Sequence, residues 1–149
     1  MDKVEIYTDG SCLRNPGPGG WAAILVCRGR EKVISGGEPD TTNNRMELLG
    51  AISAFEALKK PCDVVFCSDS QYVIMGLSRN WAKRWRMNGW RKPGGKPAQN
   101  AELWGRLLDA VEPHTVTYNW IKGHAGHPYN ERCDAIARDE ASVFIKEEE

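Results

Sequence analysis

A continuous apolar run near the middle of the chain sets the strongest limit on the fold. The segment from Val64 to Ser68 reads Val-Val-Phe-Cys-Ser, without alternation of apolar and polar side chains. Strands that are covered on both faces have this pattern, whereas a strand with one face in water alternates. The run therefore predicts a central strand that is covered on both faces.

Three strands are predicted before this run, and they form an antiparallel meander. Val4 to Thr8 alternates between apolar and polar residues, as a half-buried strand does. The Pro- and Gly-rich segment Asn15 to Gly20 predicts a loop, and Trp21 to Cys27 predicts the second strand. A turn at residues 28–30 then leads into a third strand from Glu31 to Gly36.

Helices and one more strand complete the predicted order. The predicted helices cover about Thr42–Lys60, Gln71–Leu77, Trp81–Met87, Asn100–Val111 and Pro128 to about Phe144, and the strand covers Thr115–Ile121. This order predicts an α/β fold with a mixed five-stranded sheet, three strands antiparallel and two parallel, flanked by helices. At 149 residues the chain is long enough for one domain, 1–149, and we expect a frayed tail over about 146–149.

The charge of the chain is zero in total but unevenly distributed. Between residues 79 and 96 there are seven basic residues and no acidic one, and the remainder of the chain carries a net charge of −7 (13 basic against 20 acidic). The seven are Arg79, Lys83, Arg84, Arg86, Arg91, Lys92 and Lys96. A basic segment on an acidic body suits a polyanionic partner.

Composition also predicts where the protein works. No stretch has the 18 or so apolar residues of a membrane span, and the N-terminus has no signal-peptide character. Five cysteines without a CxxC pair are more typical of reduced thiols than of a disulfide framework. We expect a cytoplasmic protein without a membrane contact, and nothing in the sequence suggests an oligomer, so we expect a monomer.

Four acidic residues in separate parts of the chain are candidates for a metal site. Asp9 and Asp69 each follow a predicted strand, and ligands collect at the carboxyl ends of strands in α/β sheets. Each Asp alone could instead be a turn former or a helix cap. The third, Asp134, could simply pair with Arg138 one helical turn later.

The fourth acidic residue, Glu47, stands on the face of its predicted helix that should pack. Gly50, Ala51, Ala54 and Leu58 share that face, at offsets of three, four, seven and eleven. A carboxylate there needs a partner or a metal. The alternative is a capping box, in which Asn44 caps the helix and Glu47 returns a hydrogen bond.

Several short motifs occur in order along the chain. They are Ile6-Tyr7-Thr8-Asp9-Gly10-Ser11-Cys12, Asn15-Pro16-Gly17-Pro18-Gly19-Gly20, Thr42-Asn43-Asn44-Arg45-Met46-Glu47-Leu48, Ser68-Asp69-Ser70-Gln71-Tyr72, Trp120-Ile121-Lys122-Gly123-His124-Ala125-Gly126-His127 and Asn130-Glu131-Arg132-Cys133-Asp134. Together they closely resemble the bacterial ribonuclease HI family, the type 1 ribonucleases H. The resemblance covers roughly Val4 to Ala141.

This resemblance implies a ribonuclease H-like fold and an endonuclease that cleaves the RNA strand of RNA–DNA hybrids, leaving 5′-phosphate and 3′-hydroxyl ends. It implies that Asp9, Glu47, Asp69 and Asp134 bind metal, and that His124 is a mobile catalytic histidine. The expected cofactor is Mg²⁺, two ions with substrate, which Mn²⁺ could replace, because hard cations prefer oxygen ligands and a two-metal site can activate water and stabilise a leaving oxygen.

The resemblance also implies how the hybrid is held. Five residues match positions that line the minor groove: Cys12, Asn15, Asn43, Asn44 and Gln71. Thr42 and the backbone amides beside it stand at the start of a predicted helix, where a DNA phosphate could bind. The basic segment matches a protrusion that grips the DNA strand, with Lys83, Arg84, Trp85 and Arg86 as its expected contacts. Asp40 departs from the family, whose members often carry a basic residue near this position.

Two other functions and one other kind of metal site are the alternatives at this stage. A related-fold DNA nuclease of the integrase or resolvase kind would share the acidic residues, but the Asn43-Asn44 and Gly123-His124 contexts speak against it. A non-catalytic hybrid-binding module is expected to lose at least one carboxylate, and all four are present. A zinc site at His124 and His127 lacks further ligands of suitable type.

Overall fold

The protein folds into a five-stranded sheet with helices on both faces. The structure is a computed structural model that describes residues 1–123 and 126–148, with side chains as far as residue 145. The strands are β1 (Asp2–Cys12), β2 (Gly17–Cys27), β3 (Arg30–Thr41), β4 (Cys62–Ser68) and β5 (Thr115–Trp120). The helices are α1 (Asn43–Glu56), α2 (Gln71–Ser78), α3 (Trp81–Met87), α4 (Ala101–Val111) and α5 (Pro128–Glu148).

The sheet is mixed, and its strand order is β3-β2-β1-β4-β5. β1 pairs with β2 and β2 with β3 in antiparallel ladders, while β4 is parallel to both β1 and β5. The predicted fold class is therefore confirmed. Because β1 and β4 are adjacent and parallel, their carboxyl ends meet at one edge of the sheet.

Both faces of the central strands are covered, as the apolar run predicted. Val64 and Phe66 of β4 are fully buried in the larger part of the core, which α1, α2, α3 and α4 cover. Cys67 is buried on the opposite face, together with Tyr7 of β1 and Cys133 of α5. This double burial explains why the run contains no exposed polar side chain before its carboxyl end.

Helix α1 begins one residue after Thr42, and this boundary decides between two interpretations of Glu47. Thr42 is the N-cap, and its hydroxyl accepts a hydrogen bond from the backbone N–H of Arg45. Asn44 lies inside the helix, so the alternative capping box of Asn44 with Glu47 is wrong. The helix ends at Glu56, before the predicted end at Lys60.

The segment from Gly17 to Gly20 is part of β2 and not of the predicted loop. Strand pairing continues there because glycines let neighbouring chains approach closely. A Cβ on Gly20 would collide with the carbonyl oxygen of Ala137 in α5, and one on Gly19 would meet Thr41 and Met46 side chains. The glycines that indicated a turn are instead required by helix and strand packing against β2.

The basic segment forms α3 and the loop that follows it. Trp85 of α3 is buried and packs edge-to-face on Trp104 of α4, with ring centroids 5.8 Å apart, which fixes the segment to the core. At the other end of the chain, α5 continues to Glu148, past Phe144. Among the described residues, no helix combines the length and apolar character that a membrane span requires.

Candidate active site

Three carboxylates meet at the edge of the sheet where β1 and β4 end. Asp9 lies near the end of β1, Asp69 follows β4 directly, and Glu47 projects from the first turns of α1. One ligand oxygen from each lies within 4.8 Å of the others. The three acids share an open cavity of about 460 Å³ with Asp134 of α5. Four elements that are distant in sequence thus contribute to one site.

The position of Glu47 depends on the absence of a side chain at Gly10. The backbone N–H of Gly10 donates hydrogen bonds to Glu47 Oε1 and, at 2.9 Å, to Asp9 Oδ1. A Cβ on Gly10 would overlap the backbone of Met46 and Glu47. α1 therefore lies close enough to β1 to hold Glu47, only 5% exposed, beside Asp9.

Burial and mutual repulsion raise the proton affinity of the cluster. Burial, followed by the charge of Asp69, raises the pKa of Asp9 to about 7. Burial and then the charges of Asp9 and Asp69 raise the pKa of Glu47 well above its usual range. Burial also raises the pKa of Asp69, against hydrogen bonds with Asp9 and Asn130 that lower it. A bound cation would offset the repulsion among these carboxylates and favour their ionised forms.

Asp134 lies at the side of this cluster and is paired with a basic side chain. Its Oδ2 forms an ion pair with Nε of Arg138, one turn later on α5, at 3.2 Å. The sequence-based alternative of an Asp134–Arg138 pair is thus present in the structure, while Asp134 also lines the cavity of the other three acids. The two interpretations do not exclude each other.

The donor set fits a hard divalent cation. The three clustered ligand atoms are carboxylate oxygens, the type that Mg²⁺ and Mn²⁺ prefer, and the opening of the cavity leaves room for waters and phosphate oxygens. Among the described residues, the only group of His, Cys, Asp and Glu side chains close enough to hold a metal ion is this set of oxygens.

Comparison with known proteins identifies the family. The RNase H family model matches residues 1–142. The chain belongs to the ribonuclease H family. It is 58% identical over 136 residues to a ribonuclease H of Bradyrhizobium sp. (strain ORS 278), covering 91% of this chain and 88% of that protein. It is 52% identical over 139 residues to a ribonuclease H of Nitratidesulfovibrio vulgaris (strain DP4), covering 93% and 89%.

A solved structure agrees with this assignment. LC9-RNase H1, a type 1 RNase H with the type 2 active-site motif, superimposes with a TM-score of 0.85 at 34% identity, over 96% of this chain and 74% of that one. The resemblance seen in the sequence motifs is therefore confirmed. As a ribonuclease H, the protein is an enzyme, a nuclease of the hydrolase class.

Most of the predicted groove residues of this ribonuclease H surround the carboxylates. Cys12, Asn43, Asn44 and Gln71 line the same cavity. Asn15 lies outside the lining and accepts a 3.2 Å hydrogen bond from the backbone N–H of Asn43, which ties its loop to the start of α1. The hydroxyl of Thr42 is engaged in capping α1.

The predicted contacts on α3 do not share one surface. Arg84 and Trp85 line a depression of about 390 Å³ together with Trp81, Asn88, Arg91, Lys92 and Pro93. By contrast, Arg86 pairs with Asp109 at 2.9 Å, and Lys83 lines a different hollow beside His114. Arg91 and Lys92 are thus better placed to act with Arg84 than Lys83 and Arg86 are.

Sequence reasoning missed Asn130, which is buried and hydrogen-bonds Asp69. Its position one helical turn before Asp134 was the available signal. Gly123 lies against Asp69 as well, because a Cβ there would approach Asp69 Oδ2 to 2.9 Å. The predicted catalytic residue His124 lies outside the described residues.

Proposed function

We propose that this ribonuclease H cleaves the RNA strand of RNA–DNA hybrids endonucleolytically and leaves 5′-phosphate ends. The observation that carries the proposal is the convergence of Asp9, Glu47 and Asp69 within 4.8 Å, with Asp134 in the same cavity. A phosphodiester is anionic, so hydrolysis at such an acidic site requires bound cations between the protein and the substrate.

Two Mg²⁺ ions, which Mn²⁺ could replace, are the proposed cofactor. When bound, they supply an activated water and stabilise the leaving oxygen. Asp9, Glu47, Asp69 and Asp134 would hold the ions, and Asp9, which interacts with both Glu47 and Asp69, is the proposed ligand of both ions. Asp69 and Asp134 would orient the attacking water, with Glu47 on the leaving-group side.

Hydrogen bonds from the chain pre-arrange these ligands. The N–H of Gly10 holds Asp9 and Glu47, and Asn130 holds Asp69. His124 is the proposed proton carrier for the leaving group or for product release, because an imidazole titrates near neutral pH.

Recognition of the hybrid would be divided between two surfaces. Cys12, Asn43, Asn44 and Gln71 present small polar groups to the minor groove, where ribose 2′-hydroxyls distinguish RNA from DNA. The protrusion would hold the DNA strand through its phosphates, mainly with Arg84, Arg91 and Lys92 beside Trp85 and less with Lys83 and Arg86, assisted by Thr42 before α1. Asn15 would support the minor-groove residues through its hydrogen bond with Asn43. We also propose that residues 1–149 act as a single domain and as a cytoplasmic monomer.

Cleavage of end-labelled RNA–DNA hybrid, duplex DNA and duplex RNA, each with Mg²⁺ or with chelator, tests the proposal. We expect cleavage of the RNA strand of the hybrid alone, and only with metal. Cleavage of duplex DNA would instead support a related DNA nuclease, and hybrid binding without cleavage would support a binding module.

A further inference from the structure

Arg138 is the basic side chain among the residues that line the carboxylate cavity. It is 58% exposed, yet its Nε lies 3.2 Å from Asp134 Oδ2. The carboxylate of Asp134 repels both Asp9 and Asp69. The guanidinium therefore neutralises the one acid of the four that is not part of the tight cluster.

The backbone of α5 is held against the sheet on the side of the helix next to Asp134. Cys133, Ala137 and Ala141 are fully buried on the face of the helix that packs on the sheet. The thiol of Cys133 donates to the carbonyl oxygen of Tyr7, and Ala137 meets Gly20 with no room for a side chain. Because this packing fixes the position of the Asp134 backbone, rotation of the Asp134 side chain is the simplest way to bring its carboxylate closer to the other three acids.

We propose that Arg138 is a positioning residue for Asp134, a counter-charge that holds this carboxylate at the side of the cluster and competes with divalent metal for it. The inference rests on the proposed function, in which Asp134 is a metal ligand. The ion pair is partly exposed to solvent, so the competition is weak and reversible.

Calorimetric titration of the substrate-free protein with MgCl₂ at low ionic strength tests the proposal without a measurement of activity. We expect Arg138→Gln to tighten Mg²⁺ binding roughly two- to fivefold, since exposed ion pairs have about this strength. Arg138→Lys keeps the charge and should restore most of the parental affinity. Arg132→Gln is the matched control, because Arg132 is on the same helix and pairs with Glu31 outside the cavity.

A second pair of variants separates action through Asp134 from a general effect of charge. In the Asp134→Asn background, Arg138→Gln should leave the Mg²⁺ affinity unchanged. An equal gain with and without Asp134, or an Arg138→Gln affinity at or below that of the parent, would overturn the inference while leaving the metal centre intact. If the parent protein binds no Mg²⁺ in the same titration, the proposed metal centre is wrong and the inference is wrong with it.

Discussion

The carboxylate centre and the basic protrusion are built in opposite ways. The centre collects side chains from four distant elements, and two of them, Asp9 and Glu47, are buried. The protrusion is one continuous segment whose cations are exposed, with Trp85 as its buried anchor. The first depends on the whole fold for its geometry, whereas the second depends mainly on local sequence.

The two regions also differ in how their charges affect the stability of the folded protein. Like charges in a partly dehydrated cluster oppose folding, and this cost is expressed in the raised pKa values of Asp9, Glu47 and Asp69. Exposed cations are hydrated and screened, so those of α3 oppose folding little. We therefore expect changes at the centre to affect turnover and stability in opposite directions, and changes on the protrusion to affect substrate binding.

The largest effect is expected from Asp69→Asn. The loss of one metal-binding charge should reduce kcat by about 10³-fold or more, in the range for removal of a key electrostatic group. Without metal, the same change should raise the free energy of unfolding by roughly 1 kcal/mol, because it relieves repulsion at Asp69, the partly exposed member of the cluster. Steady-state cleavage of hybrid and urea unfolding with chelator measure the two effects.

Asp63→Asn is the matched control for this prediction, since Asp63 is on β4 but outside the cavity. It should change neither quantity appreciably. A metal-free Asp69→Asn protein that is less stable than the parent would contradict the repulsion argument, even if its activity is abolished.

The second prediction concerns the pH dependence of metal-free stability. The pKa of Asp9 rises from 3.8 to about 7 on folding, so between these values the folded state binds more protons than the unfolded state. The contribution of Asp9 therefore favours folding at low pH and is lost as the pH rises through about 7. Because Asp9→Asn removes this titration, its gain in stability over the parent should grow from near zero at about pH 4 to a few kcal/mol at about pH 8.

Urea unfolding of the parent and of Asp9→Asn with chelator, across this pH range, measures the difference in their free energies of unfolding. Because the carboxyls interact, this difference reports on the titration of the whole cluster. Addition of saturating Mg²⁺ should reduce the difference, because metal would stabilise the ionised parent. A difference that does not depend on pH would show that Asp9 ionises in the folded protein as readily as in the unfolded one.

Comparison of sequence and structure shows which parts of the site were predictable. The packed face of α1 could be predicted because helical periodicity placed Glu47 in line with Gly50, Ala51 and Ala54, all three of which are small and buried. The hydrogen bond that holds Glu47, from the N–H of Gly10, could not be predicted, because it joins residues 37 positions apart. Long-range approach of this kind depends on how α1 crosses β1.

Glycine was the most misleading local signal. Gly17, Gly19 and Gly20 indicated a turn, yet they belong to β2, where side chains on Gly19 and Gly20 would collide with β3, α1 and α5. The sequence also could not predict which basic side chains of the segment share one surface, because the directions of Lys83, Arg84 and Arg86 depend on where α4 lies. The roles proposed for these residues and for His124 stay predictions.

The third prediction tests whether the protrusion acts only in binding. Joint replacement of Arg84, Arg91 and Lys92 by Gln should raise KM roughly tenfold and change kcat little, because phosphate contacts add affinity. The slope of log KM against log salt should fall by about 0.9 for each phosphate that the variant no longer neutralises. Cleavage kinetics at several salt concentrations provide both values.

Joint replacement of Lys83 and Arg86 is the informative comparison, since these side chains lie outside the shared depression. We expect a smaller rise in KM from this pair. Replacement of Lys3, Lys32 and Lys59, which are exposed and outside the segment, controls for total charge. An equal rise in all three variants would mean that net charge, and not the depression, attracts the substrate.

The smallest effect is expected at Thr42, at the start of the helix that carries Glu47. Its hydroxyl caps α1 through the N–H of Arg45, so Thr42→Ala should lower the free energy of unfolding by about 1 kcal/mol. Thr42→Ser keeps the oxygen and should retain the stability. If Thr42 only caps, kcat and KM of Thr42→Ala at saturating Mg²⁺ should remain near those of the parent. If it also binds a DNA phosphate, KM should rise in Thr42→Ala and recover in Thr42→Ser, which would assign the start of α1 to the binding surface as well as to the carboxylate centre.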